Sequence, residues 1–99
     1  MNIVEQNISG VSELCRQHNV KNMYLFGSAL TGKFTPASDV DLLVSFGNVN
    51  LYHYFDNYMD LKDKLELLFR CPVDLVEEKT IRNPVLRRSI ERNKKLIYG

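Results

Sequence analysis

Charge of one sign is what this 99-residue sequence most lacks: 13 Lys and Arg against 12 Asp and Glu leave a net +1. That balance argues against a protein built mainly to coat nucleic acid, which takes a large positive excess to displace counterions. Cysteine is scarce too. Cys15 and Cys71 have no metal-ligand spacing and sit among apolar neighbours, so both are expected to be reduced structural thiols. No stretch approaches a membrane span, and the segment Met1-Asn2-Ile3-Val4-Glu5-Gln6 lacks the basic region and apolar run of a signal peptide. A cytoplasmic location without membrane contact is therefore expected. Repeats, low-complexity tracts and linkers are missing as well, so one domain over residues 1–99 is expected.

What is present is an ordinary globular composition, 44% hydrophobic and 25% charged. A chain this short buries only a little over roughly 60% of its unfolded surface, so modest stability and help from a partner are expected. Val4, Ile8, Val11, Leu14 and Cys15 line one face of a predicted helix ending near Asn19, with His18 a solvated helix-end residue. Met23-Tyr24-Leu25-Phe26 reads as a buried strand stopped by Gly27. Residues Ser28 to Ser38, with Gly32 and Pro36, read as a short helical turn and a loop. Asp39 to Phe46 predicts a central strand closed by Gly47-Asn48.

The strongest helical stripe is Leu51, Tyr54, Phe55, Tyr58, Leu61, Leu65 and Leu68, with Asn50 as its cap and His53 and Asp56 on its polar side. This stripe is expected to cover the sheet rather than to bind a cofactor. Pro72 opens a third strand, Val73 to Val76, since proline is tolerated at a strand's first position. Asn83-Pro84 is a helix start, and Lys95 to Tyr98 adds an edge strand. The order αβ(α)βαβαβ predicts one α/β (α+β) domain, a small mixed β-sheet packed with helices.

Chemistry is concentrated in three acids and a glycine. Side chains alternate along a strand, so Asp39 and Asp41 share one face while Val40, Leu42 and Val44 share the other. Like charges at that spacing destabilise the strand unless a cation lies between them, and hard oxygen ligands suit Mg²⁺ or Mn²⁺. Asp74 occupies a similar point near the start of another apolar strand; if the two strands are neighbours, three carboxylates converge on a two-metal site. Asp74 would then be a second-metal ligand and base. Gly27-Ser28 ends a strand where free amides favour anions, a cradle for triphosphate oxygens. Taken singly, a Gly-Ser pair is a turn and an Asp-x-Asp a solvated strand face; it is their combination that points to chemistry.

Leu25-Phe26-Gly27-Ser28, followed by Ser38-Asp39-Val40-Asp41-Leu42-Leu43-Val44, closely resembles the signature of the DNA polymerase beta-like nucleotidyltransferase superfamily. The ending Asn83-Pro84-Val85-Leu86-Arg87-Arg88-Ser89-Ile90-Glu91 resembles its minimal members in bacteria and archaea, so the likeness covers nearly the whole chain. It implies a nucleotidyltransferase-like fold, with Gly27, Ser28 and Ser38 at the nucleotide and Asp39, Asp41 and Asp74 as catalytic metal ligands. It also implies Mg²⁺, two ions with Mn²⁺ as the alternative, and ATP as the donor of AMP to an acceptor hydroxyl. Many minimal members are encoded beside a helical HEPN-type toxin and act as its antitoxin, in some cases by attaching AMP to a tyrosine; a similar partner is implied here.

The chain departs from many relatives where Thr31 precedes Gly32, a position at which they carry arginine; either Lys33 or a basic residue between Arg82 and Lys95 neutralises the phosphates instead, or the catalyst is impaired or partner-dependent, and the basic segment as a whole reads as a solvated helix face. Gly27 to Lys33 also fits most of a P-loop, but Phe34 stands where Ser or Thr must bind Mg²⁺, and Pro36 interrupts the required helix. A non-catalytic toxin-binding module competes with the enzyme reading, as does nucleotidyl transfer to RNA or a small molecule.

Overall fold

The computed structural model describes residues 3–27 and 39–99. Their elements are α1 (Ile3–Gln6), α2 (Ile8–Gln17), β1 (Val20–Phe26), β2 (Val40–Phe46), α3 (Leu51–Phe69), β3 (Val73–Glu77), a 3-10 turn (Glu78–Thr80), α4 (Pro84–Asn93) and β4 (Lys95–Tyr98). The strands form one mixed sheet in the order β3-β2-β1-β4, with β1 antiparallel to both neighbours and β2 parallel to β3. The expected central strand is thus internal, and Lys95–Tyr98 is an edge strand. The expected turn and loop from Ser28 to Ser38 lie outside the described residues. Among the described residues no helix is long and apolar enough to cross a membrane.

Alternation gives the sheet two unlike faces. Met23, Leu25, Val40, Leu42, Val44, Val73 and Leu75 join Val4, Val11 and Cys15 of the first two helices and Leu61, Leu65 and Phe69 of α3 in one apolar cluster. By phase, Tyr24, Phe26, Asp41, Leu43, Asp74 and Val76 belong to the opposite face. α3 links parallel β2 and β3 across the core face. β4 is also parallel to β3 but lies beyond β2 and β1, so a right-handed return carries α4 over the opposite face. Ile90 of α4 is accordingly buried outside the main cluster, and Lys94 Nζ sits 4.0 Å from the centre of the Tyr24 ring.

The N-terminal helix is broken rather than continuous. Asn7 Nδ2 donates to the Ile3 carbonyl at 2.8 Å, a local bond that competes with helix propagation, and Ile8 is turned out of the apolar face. His18 is not solvated as its position at a helix end suggests: it is 4% exposed. Its Nδ1 lies 2.7 Å from the Leu14 carbonyl and its Nε2 2.7 Å from Asp60 Oδ2 of α3, while Asn57 Nδ2 donates to its carbonyl at 2.9 Å. The packing of α3 on α2 encloses the ring, which one-helix periodicity does not reveal.

Asn50 caps α3 by accepting from Tyr52 N at 2.9 Å, and Asn83 caps α4 by accepting from Val85 N at 2.9 Å, with Pro84 next. The aromatic stripe of α3 covers the sheet only in part. Leu61 and Leu65 are buried and Tyr54 and Tyr58 half-buried, but Leu51 is 88% and Phe55 69% exposed. α3 packs on β3 at the sheet's edge, where among the described residues no further strand receives its first turns. Both cysteines are free thiols, Cys15 buried and Cys71 half-buried.

Candidate active site

Parallel pairing sets Val40 opposite Val73, Asp41 opposite Asp74 and Leu42 opposite Leu75. On the other flank of β2, Phe26 stands opposite Asp41. The buried valines and leucines fix this arrangement: with Val40, Leu42, Val73 and Leu75 committed to the core, both aspartates must face away from it. Two further bonds pin the register. Val40 N donates to the Pro72 carbonyl at 3.0 Å, and Val73 N donates to Glu66 Oε2 at 2.9 Å.

Asp39 precedes β2 by one residue, in phase with Asp41; it and Asp74 are exposed, and Asp41 is half-buried. Burial, then Asp74, then Asp39 hold the Asp41 carboxyl above the usual carboxylate range. Among the described residues, none of the three acids is ion-paired.

Gly27 closes the site from β1. Its φ is +79°, and a Cβ built there would meet the Asp41 carboxylate, lying 3.0 Å from Cγ and 3.2 Å from Cβ of that residue. Only glycine lets the end of β1 turn this tightly over the acid. Ser28, Lys33 and Ser38, the other expected nucleotide contacts, lie outside the described residues.

The outer edge of β3 is sealed by side chains. Tyr58 donates its hydroxyl to the Leu75 carbonyl, Thr80 donates to the Glu77 carbonyl at 2.8 Å, and Tyr54 donates to the Glu77 carboxylate. Such an edge is blunted against strand addition and holds Asp74 in place. Motif reading misses the aromatic neighbours Tyr24 and Phe26 and the Lys94–Tyr24 contact; the alternation of Met23 to Phe26 carries the only signal, since it puts both rings in phase with Asp41.

Among the described residues no three His, Cys, Asp or Glu side chains are gathered closely enough to enclose a metal ion. The acids share a row without forming a closed cage. A hard, anionic oxygen set with mutual repulsion and no paired cation among the described residues nevertheless fits a hard divalent ion that keeps water and substrate oxygens as its other ligands.

The comparisons with known proteins agree with this geometry. The model of the nucleotidyltransferase domain family matches residues 8–97. Two candidate protein adenylyltransferases of Methanocaldococcus jannaschii are 37% and 35% identical, each aligned over 94% of this chain and 98% of its own length. A solved structure described as a candidate minimal nucleotidyltransferase superposes with a TM-score of 0.78 at 30% identity, over 96% of this chain and 95% of that one. A chain of a toxin–antitoxin crystal structure with AMP-PNP gives 0.73 at 25% identity, over 94% of this chain and 73% of that one. Proteins of this family typically use a divalent metal. With the paired aspartates, the glycine over them and the match along nearly its whole length, the chain belongs to the nucleotidyltransferase domain family, among its minimal members.

Proposed function

We propose that the protein transfers AMP from ATP to a hydroxyl of a partner protein such as a HEPN-type toxin, and so acts as an antitoxin. The Asp41–Asp74 register, with Gly27 folded over Asp41, is the observation that carries this reading. The names of the M. jannaschii relatives and the likeness to a toxin–antitoxin structure with AMP-PNP support a nucleotide donor and a protein acceptor.

In this reading Asp39, Asp41 and Asp74 hold Mg²⁺, as two ions, with Mn²⁺ able to replace it. Bound metal supplies Lewis-acid polarisation of the phosphates and a lowered pKa for the attacking hydroxyl. Asp74, the more exposed partner of the register pair, would be the base that accepts the acceptor's proton, a role its exposure supports. Gly27 brings the backbone close to the triphosphate, with Ser28 and Ser38 as hydroxyl donors and Lys33 as the phosphate cation.

The test is incubation of the protein with host lysate, Mg²⁺ and ATP labelled on either the α or the γ phosphate, beside Asp39→Asn/Asp41→Asn. Transfer of the α label alone to a protein band, lost in the variant, is expected. Transfer of the γ label, or label on RNA or a small molecule, would sink the proposal. Toxin neutralisation that survives the double substitution would identify a non-catalytic binding module instead.

A further inference from the structure

α4 is fastened at both ends yet buries only Ile90. At its start Asn83 caps the helix and the Arg87 guanidinium donates to the carbonyls of Glu78 at 3.2 Å and Ile81 at 3.3 Å. At its end Lys94 pairs with Glu91 at 3.0 Å and lies on the Tyr24 ring. Helical periodicity puts Val85, Arg88 and Arg92 on the side opposite Ile90. Val85 is 74% exposed and Leu86 48%, while both arginines are exposed. Arg82, Arg88 and Arg92 make no ion pair among the described residues.

Charge is also segregated between the two faces of the sheet. From Lys79 to Lys94 six basic residues meet one acid, Glu91, whereas α3 on the core face exposes Asp56, Asp60 and Asp63 beside Lys64, and Lys95, in register with core-facing Leu25, pairs with Glu5. A net charge of +1 therefore conceals a basic side, and that side is the one carrying Asp41 and Asp74.

We propose that the outward face of α4 is the docking surface for the acceptor protein, whose matching surface is acidic around an apolar residue. The proposal rests on the protein-acceptor reading above. Unpaired arginines beside Val85 suit a protein interface, where arginine is enriched and apolar contacts form the centre. Nucleic acid fits less well, because α4 offers no aromatic ring on which a base can stack. An acidic protein seated on α4 is steered to the face of the sheet that carries the carboxylates, and the arginines screen it from their repulsion.

A fluorescent random copolymer of glutamate and tyrosine is a defined probe of this chemistry, measured by anisotropy against the intact protein. Arg88→Glu/Arg92→Glu is predicted to bind it at least about tenfold more weakly than the parent, Arg88→Gln/Arg92→Gln to fall between, and added salt to weaken the parent most. Lys64→Gln, which removes an exposed cation from α3 on the other side of the sheet, should retain binding. Circular dichroism establishes that each variant is folded; if the reversal unfolds the chain, the glutamine pair decides. No binding by the parent, or equal binding by the folded variants, overturns the proposal. So does tighter, arginine-dependent binding of poly(U) RNA at equal charge, or self-association of the protein that the reversal abolishes, since these give the face to nucleic acid or to a second copy. Copolymer that binds through the arginines but receives no AMP counts against the transfer reading and leaves the docking surface standing.

Discussion

Asp41 of β2 and Asp74 of β3 are register partners in a parallel strand pair, so two acids far apart in sequence stand side by side on the face away from the core. Neither is ion-paired among the described residues. This juxtaposition costs the metal-free fold stability and is what makes the site fit for a cation.

Removing one of the charges should therefore stabilise the metal-free protein. The folded pKa of Asp41 is raised by burial and by the two neighbouring acids, so the folded state binds more protons than the unfolded one. The associated stability is fully present below the ordinary carboxylate value, about pH 4, and is lost as pH rises through the raised folded value. Asp41→Asn in EDTA is predicted to be more stable than the parent at neutral pH, with the two converging in acid. Urea titrations across that range check this; a variant less stable than the parent at neutral pH contradicts it.

Gly27→Ala should fail twice. A side chain at φ +79° costs about 1–2 kcal/mol, and its Cβ collides with the Asp41 carboxylate. Thermal unfolding should show the loss of stability, and transfer should fall even in conditions where the variant is fully folded. Full activity in a folded Gly27→Ala protein would show that the close approach does not matter.

His18→Ala should behave in the opposite way, costing stability and sparing chemistry. It removes a buried ring that bridges the end of α2 to Asp60 of α3, although the Leu14 carbonyl keeps the bond from His18 N. A loss of about 1–3 kcal/mol is predicted from urea unfolding, with transfer per folded molecule unchanged.

Burial pushes the Cys15 thiol up to about 12. In the folded protein at neutral pH it should resist a thiol reagent, with the half-buried Cys71 reacting first, and both should react at once in denaturant. Rapid labelling of Cys15 in the native state would place it outside the core.

The alternation of Asp39 to Phe46 is enough to put two acids on one face of a strand, and the cap chemistry of Asn50 and Asn83-Pro84 is enough to start two helices. Those are local signals. The partnership of Asp41 with Asp74 depends on which strands are neighbours, which the sequence alone leaves as a condition. His18 is misread from sequence because its enclosure comes from a helix distant along the chain, and Ile8 because Asn7 bonds to its own helix and interrupts the period. The exposed start of α3 is hidden for a related reason: a helical stripe shows which residues share a face, not where the sheet beneath it ends.

The most direct measurement is the rate of AMP transfer from α-labelled ATP by the parent and by Asp74→Asn, since Asp74 joins the site through strand register rather than through the glycine and aspartate motif. A loss of about a hundredfold or more in a folded variant is predicted, as for removal of a group that handles the proton or the metal. Transfer undiminished by Asp74→Asn would contradict the three-carboxylate site.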